Sequence, residues 1–302
     1  MKDTFEVASG SIVGVDHRGR GNVLTGINNQ DAVFTSQSAD LTLIAEADGN
    51  SSCSDSEVGA KLAVAMLGNS VTAHFKLLNF ALEKEDDRAL NEFWRRVKQD
   101  MLTGLHNLAK TLGPSLSATV QKYFIFTLVG AIVTQTKSLV FSLGDGMYCV
   151  NGLWYTIGPY ANNTPPALGY CLSGSTAFDT NSPELEFKTQ MIMPTESVDW
   201  IVVGSDGVKE LIAAQSRNIP GKDELVGPIS QVWTNDLFFQ NPDGLRRRLS
   251  LMNRTFMRIK REGGTIVEAD IENGLFADDV TLAVARRKGA YAQKVDAQGT
   301  NP

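Results

Sequence analysis

Two carboxylates at the ends of apolar segments constrain the fold more than any other feature of this sequence. Asp48 follows residues 41–47, and Asp206 follows residues 201–203 after a short Gly-Ser step. Segments that are apolar at nearly every position are typical of strands buried on both faces. A carboxylate that projects from the end of such a strand needs a partner, because an isolated buried charge is costly. We therefore expect both strands to end at a polar cleft.

Strand and helix patterns along the chain occur in runs and pairs. Helical spacing of apolar residues predicts helices at 57–75, at 93–112, at 206–214, over much of 223–239 and at 243–261. Alternating or continuous β-branched and aromatic residues predict strands at 12–15, 32–34, 41–47, 123–133, 138–143, 147–150, 185–193, 198–203 and 280–285. This order favours an α+β fold with two antiparallel sheets covered by helices over a doubly wound sheet.

Composition excludes several classes of protein. The net charge of -6, from 28 Lys and Arg against 34 Asp and Glu, argues against a protein that binds nucleic acid through phosphate contacts. Three cysteines without a CxxC pair suggest neither a disulfide framework nor a zinc ribbon. We find no signal peptide and no apolar run of membrane-spanning length, so a cytoplasmic protein without membrane contacts is expected. One domain is predicted over residues 1–288, with a polar tail at 289–302.

Four short acidic patterns stand at the ends of predicted strands. They are Asn-Gln-Asp-Ala at 29–32, Ala-Asp-Gly at 47–49, Gly-Ser-Asp-Gly at 204–207 and Ala-Asp-Asp-Val-Thr at 277–281. A lone Asp-Gly pair is usually only a turn. Several carboxylates in one cleft, however, repel one another unless a hard cation neutralises them. The four patterns together therefore predict a magnesium or manganese site.

These patterns, with Gly-Asp-Gly at 144–146, resemble in order and spacing the motif series of the type-2C metal-dependent serine/threonine protein phosphatases, in a variant bacterial branch. The resemblance extends from about residue 11 to about residue 286. It implies an α-β-β-α sandwich of two antiparallel sheets flanked by helices, with two Mn²⁺ or Mg²⁺ ions between the sheets.

The resemblance also assigns roles to individual residues. Asp48 resembles the carboxylate that bridges both metals, and Gly49 resembles the residue that offers a backbone carbonyl to one of them. Asp206 and Asp278 resemble the remaining carboxylates, and Asp31 the one that holds metal-bound water. Asp278 is preferred over its neighbour Asp279 as the ligand, although the two could be confused in the alignment. Asp145 matches a family turn that supports the sheet, so a structural role is expected for it.

Some positions depart from the family pattern. Family members often carry an arginine that grips the substrate phosphate five residues before the first motif Asp, where this chain has Gly26. His17 and Arg18 are the best local substitutes as substrate-binding residues, although an ordinary turn histidine is an equal interpretation of His17. A family Glu is replaced by Gln30, which would hold water rather than bind metal. The aspartate of a third metal site should fall near Lys122, which puts that site in doubt.

The expected function is hydrolysis of phosphoserine and phosphothreonine by a water that two metals activate. The expected partner is a phosphoprotein substrate, either a cognate protein kinase or the targets of one. A catalytically silent relative that binds phosphoproteins in a kinase or stress-signalling pathway is one alternative, and a small-molecule phosphohydrolase is another. Cys53 lies near the predicted site but has no neighbouring His in sequence, so a cysteine nucleophile is not favoured.

Overall fold

The computed structural model describes residues 4–18, 26–262 and 265–290. The strands are β1 (Phe5–Ile12), β2 (Ala32–Gln37), β3 (Thr42–Gly49), β4 (Phe126–Val133), β5 (Lys137–Leu143), β6 (Gly146–Val150), β7 (Leu153–Ile157), β8 (Lys188–Pro194), β9 (Trp200–Gly204), β10 (Phe256–Glu262), β11 (Thr265–Glu272) and β12 (Val280–Arg287). The α-helical segments are α1 (Val15–Arg18), α2 (Ser56–Ala73), α3 (Phe75–Lys84), α4 (Asp87–Leu112), α5 (Leu116–Tyr123), α6 (Tyr170–Ser173), α7 (Val208–Ala213), α8 (Gln231–Thr234), α9 (Leu237–Gln240) and α10 (Gly244–Met252).

Two five-stranded antiparallel sheets form the centre of the molecule. Sheet I has the strand order β1-β12-β9-β6-β7, and sheet II has the order β2-β3-β4-β5-β8. The apolar side chains between the two sheets include Ile44 of β3, Val129 of β4, Val203 of β9 and Ala283 of β12. All four are completely buried, so the sheets pack directly against each other.

Helices cover the outer face of each sheet. Leu43 and Ala45 of β3 point away from sheet I and join a cluster with residues of α2 and α4, such as Leu67 and Phe93. On the other side, residues of α7 and α10 cluster with β9 and β12 of sheet I. The predicted α-β-β-α sandwich of two antiparallel sheets flanked by helices is therefore confirmed.

The long helix α4 shows why the local sequence forms this layer. Asp86 caps its N-terminus by accepting a hydrogen bond of 3.0 Å from the N–H of Ala89. Its apolar residues recur at helical spacing and are buried against sheet II, whereas the opposite side carries exposed charged residues. The helix therefore covers the sheet with one face and meets solvent with the other.

The predicted helix at 243–261 is wrong in its second half. Helix α10 ends at Met252, and the chain then forms β10, which pairs with β11 in a separate hairpin. Residues 257–260 alternate apolar and polar side chains, a pattern that also suits a strand. The hydrogen bonds from β11 decide in favour of the strand, and sequence periodicity does not show that partner. The predicted helix at 223–239 is likewise reduced to the single turns α8 and α9.

The two ends of the chain also differ from the sequence prediction. The first strand covers Phe5–Ile12, and the residues predicted as a strand at 12–15 lead instead into α1. Most of the predicted tail, residues 291–302, lies outside the described residues, so the domain boundary at residue 288 stays a prediction. Within the described part of the chain, no helix has both the length and the apolar character needed to cross a bilayer.

Candidate metal centre

A cavity of about 1490 Å³ opens at one edge of the sandwich, where β3, β9 and β12 meet their adjoining loops. Seven aspartates line it: Asp31, Asp48, Asp145, Asp179, Asp206, Asp278 and Asp279. The four acidic sequence patterns, which lie far apart in the chain, thus converge on one space, as the strand-end argument predicts.

Asp48 ends β3 and stands opposite Thr127 of β4 in the register of sheet II. Burial, followed by the charges of Asp31 and Glu46, raises the pKa of Asp48 well above its ordinary value. The next residue is Gly49, and a Cβ there would lie 2.6 Å from the backbone oxygen of Gln30. Only glycine permits this close approach, which brings the first and second acidic patterns together.

Asp31 is the most deeply placed of the predicted ligands, with 3% of its surface exposed. Burial and the charge of Asp279 raise its pKa to about 8. Its Oδ2 atom is buried and has no hydrogen-bond partner in the protein. A buried carboxylate oxygen in this state favours either a bound proton or a bound cation.

The neighbours Asp278 and Asp279 have different surroundings. Asp279 is buried and its two oxygens accept hydrogen bonds from the backbone N–H groups of Gly14 and Gln30, at 2.7 and 2.6 Å. Asp278 is exposed to the cavity, although burial of its carboxylate raises its pKa. The structure therefore separates a structural carboxylate, Asp279, from one that is open to a ligand, Asp278.

Asp206 lies between β9 and α7 and faces the same cavity. Its Oδ2 atom lies 3.9 Å from Nζ of Lys209, and both side chains are half-exposed. The following Gly207 is needed for packing, since a Cβ there would lie 2.0 Å from the backbone oxygen of Asp279. This contact holds the third and fourth acidic patterns side by side.

The donor atoms in the cavity fit a hard divalent cation. They are carboxylate and backbone oxygens, to which the buried Oγ1 of Thr127 adds another oxygen without a hydrogen-bond partner in the protein. Magnesium and manganese prefer such oxygen ligands, whereas zinc sites are usually built from His and Cys. The ligand atoms of His17, Asp278 and Asp279 lie within 4.8 Å of one another, and because both oxygens of Asp279 already accept hydrogen bonds, Asp278 is the carboxylate of this group that is open to an ion.

Comparison with known proteins decides the family. A family model described as protein phosphatase 2C matches residues 18–240, which is most of the chain. The chain belongs to the protein phosphatase 2C family. By sequence, no curated protein matches the chain.

A solved structure of a bacterial phosphatase shares the fold. A bacterial serine phosphatase with an arginine-to-lysine substitution is similar at a TM-score of 0.51 and 14% identity, over 93% of this chain and 97% of that one. The serine/threonine phosphatase Stp1 from Staphylococcus aureus gives 0.47 and 15%, over 93% and 94%. The catalytic domain of the phosphatase PstP in complex with two manganese ions gives 0.44 and 14%, over 94% and 98%.

The two substrate-binding candidates that replace the family arginine are placed differently. His17 lines the cavity, but its Nδ1 lies 2.9 Å from Oδ1 of Asp279, which raises the pKa of the imidazole. Arg18 turns away and donates a hydrogen bond from Nη2 to the backbone oxygen of Asn253. It lines a separate cavity of about 320 Å³ with Arg246. Arg18 thus lies outside the main cavity in this structure, and its role in binding phosphate stays a prediction.

Gln30, which replaces a family Glu, has a structural role. Its Nε2 atom donates hydrogen bonds to the backbone oxygen of Cys53, at 3.0 Å, and to Oγ of Ser56, at 2.7 Å. Both acceptors lie just after the second acidic pattern. The side chain thus braces the loop after Asp48, while its Oε1 atom is buried without a hydrogen-bond partner in the protein, and the holding of a water by Gln30 stays a prediction.

The region of the third family metal carries a lysine in this phosphatase 2C member. Nζ of Lys122 lies 3.3 Å from Oδ2 of Asp55, so the group that faces this carboxylate is the ammonium group of a lysine. The far wall of the main cavity comes from residues 162–183. Most of this wall is polar and uncharged.

One acidic residue close to these aspartates, Glu46, is not among the site residues predicted from the sequence. It lies on β3 two positions before Asp48 and is completely buried. Neither of its carboxylate oxygens has a hydrogen-bond partner in the protein. The signal was present in the sequence, because Glu46 is the one charged residue within the apolar segment 41–47.

Proposed function

We propose that this chain is a metal-dependent serine/threonine protein phosphatase that uses Mn²⁺ or Mg²⁺, two per site. The observation that carries the proposal is the convergence of Asp31, Asp48, Asp206 and Asp278 on one cavity in a member of the phosphatase 2C family. The backbone oxygen of Gly49 completes the proposed ligand set.

When bound, divalent cations supply Lewis-acid activation of the attacking water and neutralise charge on the phosphoryl group. The protein holds the carboxylates that would bind these cations in place. Asp48 is fixed by the pairing of β3 with β4, and Asp206 and Asp278 are held by loops that contact each other at Gly207. Asp31, which lines the same cavity, would hold a water bound to the cations.

The size of the cavity supports a protein substrate. Sites for small molecules usually have volumes of about 300–1,000 Å³. The cavity here, at about 1490 Å³, is larger, and one wall is formed by the long segment 162–183. A phosphorylated segment of a protein fits this space better than a small phosphate ester. We infer that the substrate is a phosphoprotein, such as a cognate protein kinase or a target of one.

The direct test is hydrolysis of a phosphothreonine peptide and of p-nitrophenyl phosphate by the purified protein. We expect turnover with Mn²⁺ or Mg²⁺ and none after EDTA, because oxygen ligands release these ions to a chelator. Full activity after thorough chelation, or activity with zinc alone, would exclude the proposal.

One observation favours a second candidate, a silent phosphoprotein-binding relative. Among the residues that the structure describes, no Lys or Arg lines the cavity to grip a phosphate. A silent relative would bind the phosphopeptide in the presence of Mn²⁺ without hydrolysing it. Binding by fluorescence anisotropy, measured beside phosphate release, separates the two functions.

A further inference from the structure

Glu46 lies on the same face of β3 as Ile44 and Asp48, because alternate residues of a strand share a face. Ile44 packs between the two sheets, whereas Ala45 and Ala47 face the helices over sheet II. In the register of sheet II, Glu46 stands opposite Val129, another residue of the layer between the sheets. The Glu46 side chain therefore extends into the buried layer between the sheets, from the same face of β3 as Asp48.

The surroundings of Glu46 do not satisfy a carboxyl group. Its side chain has no exposed surface, and both Oε atoms lack a hydrogen-bond partner. A neutral carboxylic acid would still leave its O–H without an acceptor, and an ionised one would be an unpaired buried charge. An apolar side chain of similar size would be more stable at this position unless something binds the carboxylate.

The charged groups that act on Glu46 are aspartates that line the cavity. Burial raises its pKa well above the ordinary value, and the charges of Asp31, Asp145 and Asp206 raise it further. On the opposite side stands Gly146, where an added Cβ would come within 3.3 Å of Oε1. A side chain at this position would crowd Oε1, and two of the acids that act on Glu46, Asp31 and Asp206, are proposed ligands for a divalent cation.

We propose that Glu46 is an additional carboxylate of the metal centre, which contributes oxygen to a divalent cation from the buried layer between the sheets. This inference rests on the proposed function in one respect, namely that the cavity holds such cations. A cation beside Glu46 would satisfy its orphaned oxygens and neutralise the repulsion from the neighbouring acids in one step.

The test is isothermal titration of Mn²⁺ into the metal-stripped full chain, for the wild type, Glu46→Gln and Asp179→Asn. Glutamine keeps the shape of the side chain and removes its charge. We expect Glu46→Gln to lose one bound ion or to bind Mn²⁺ about tenfold more weakly or worse, as for other residues that support metal sites. Asp179→Asn is the matched control, since Asp179 is exposed on the outer wall of the cavity. It should bind Mn²⁺ like the wild type.

Thermal unfolding without metal shows whether a weaker binder is still folded. Glu46→Gln should unfold at the wild-type temperature or above it, because repulsion between buried acids is relieved. Glu46→Met, an apolar side chain of similar length, serves as a second variant if the glutamine variant does not fold. A folded variant that binds Mn²⁺ with wild-type stoichiometry and affinity would overturn the proposal, as would a wild type that binds no Mn²⁺.

This experiment also separates failure of the inference from failure of the proposed function. Mn²⁺ binding is measured without turnover. If Glu46→Gln weakens binding while the wild type hydrolyses no phosphoester, the phosphatase proposal fails and the role of Glu46 stands. If the wild type hydrolyses phosphopeptide and Glu46→Gln binds Mn²⁺ normally, the reverse holds, and Glu46 is only a buried neutral acid.

Discussion

Nδ1 of His17 lies 2.9 Å from Oδ1 of Asp279, and this contact ties the start of the domain to the loop before its last strand. The same carboxylate accepts hydrogen bonds from the backbone N–H groups of Gly14 and Gln30. Three segments that are distant in sequence are thus joined at one side chain. Asp279 is therefore committed to the structure of the site, and its neighbour Asp278 is left to face the cavity.

Asp278→Asn and Asp279→Asn should consequently fail in different ways. Asp278→Asn should lose phosphatase activity and Mn²⁺ affinity while it unfolds at the wild-type temperature. Asp279→Asn replaces a charged acceptor of buried hydrogen bonds, which should cost about 2 kcal/mol of unfolding free energy and lower Tm by several degrees. Calorimetry and Mn²⁺ titration check both. Equal Tm values together with equal losses of Mn²⁺ affinity would refute the division of roles.

The stability of the metal-free protein should fall as the pH rises. The pKa of Asp31 is about 8 in the folded chain, whereas in the unfolded chain an Asp titrates near pH 4. Between about pH 4 and about pH 8 the folded state therefore holds a proton that the unfolded state has released, so increasing pH favours unfolding. The pKa values of Glu46 and Asp48 are also raised in the folded chain, so these two groups likewise make the folded state less stable as the pH rises.

We expect the Tm of EDTA-treated protein to be lower at about pH 8 than at about pH 5, and Mn²⁺ to raise it most at the higher pH. The matched variant is Asp31→Asn, which cannot titrate at this position and should show a shallower decline. A Tm that increases over this range in metal-free protein, with the same profile in Asp31→Asn, would show that these acids do not govern stability.

Charge in the cavity should select the flanks of the substrate. Asp145 and Asp179 line the cavity without being proposed metal ligands, and the described part of the lining has no Lys or Arg, so basic residues beside the phosphothreonine are favoured. At low salt, KM for a Lys-flanked phosphopeptide should be several-fold below that for a Glu-flanked one. Asp179→Lys should reduce this difference without changing hydrolysis of p-nitrophenyl phosphate. A preference for acidic flanks in the wild type would contradict the prediction.

Thiol chemistry should not matter to the activity. Cys53 is 8% exposed, and burial raises the pKa of its thiol, so little reactive thiolate is present at neutral pH. Alkylation with iodoacetamide should therefore proceed slowly and leave most activity intact. Mass spectrometry locates the modified residue, and inactivation that tracks modification of Cys53 would instead support a cysteine mechanism.

The layers of the fold were accessible from sequence because their signals are local. Buried strands such as β3 are apolar at nearly every position, and α4 carries a regular apolar stripe, so burial and periodicity alone identify them. Helix α10 and strand β10 were not separable in this way. Their apolar residues fit one helical stripe, and only pairing with β11 shows where the helix ends.

In the candidate site, too, the features with a local signal could be predicted and those that depend on distant residues could not. Carboxylates at strand ends, such as Asp48 and Asp206, could be predicted because strand ends meet at one edge of a sheet. The direction of Arg18 could not, because it depends on a carbonyl group of Asn253, which lies far away in sequence. Glu46 is not among the residues predicted from the sequence, because one charged residue does not disturb the apolar pattern of a buried strand. Its complete burial, which only the structure shows, is what makes a partner for the carboxyl group necessary.

The most direct test of the central claim is kcat of Asp48→Asn for p-nitrophenyl phosphate at saturating Mn²⁺, compared with the wild type. Removing this carboxylate removes both cation positioning and the activated water, so we expect kcat to fall by about a thousandfold. Asp179→Asn, on the outer wall of the same cavity, should keep wild-type kcat. Circular dichroism confirms that both variants are folded. Near-normal turnover by folded Asp48→Asn, or a wild type with no Mn²⁺-dependent turnover, would contradict the account.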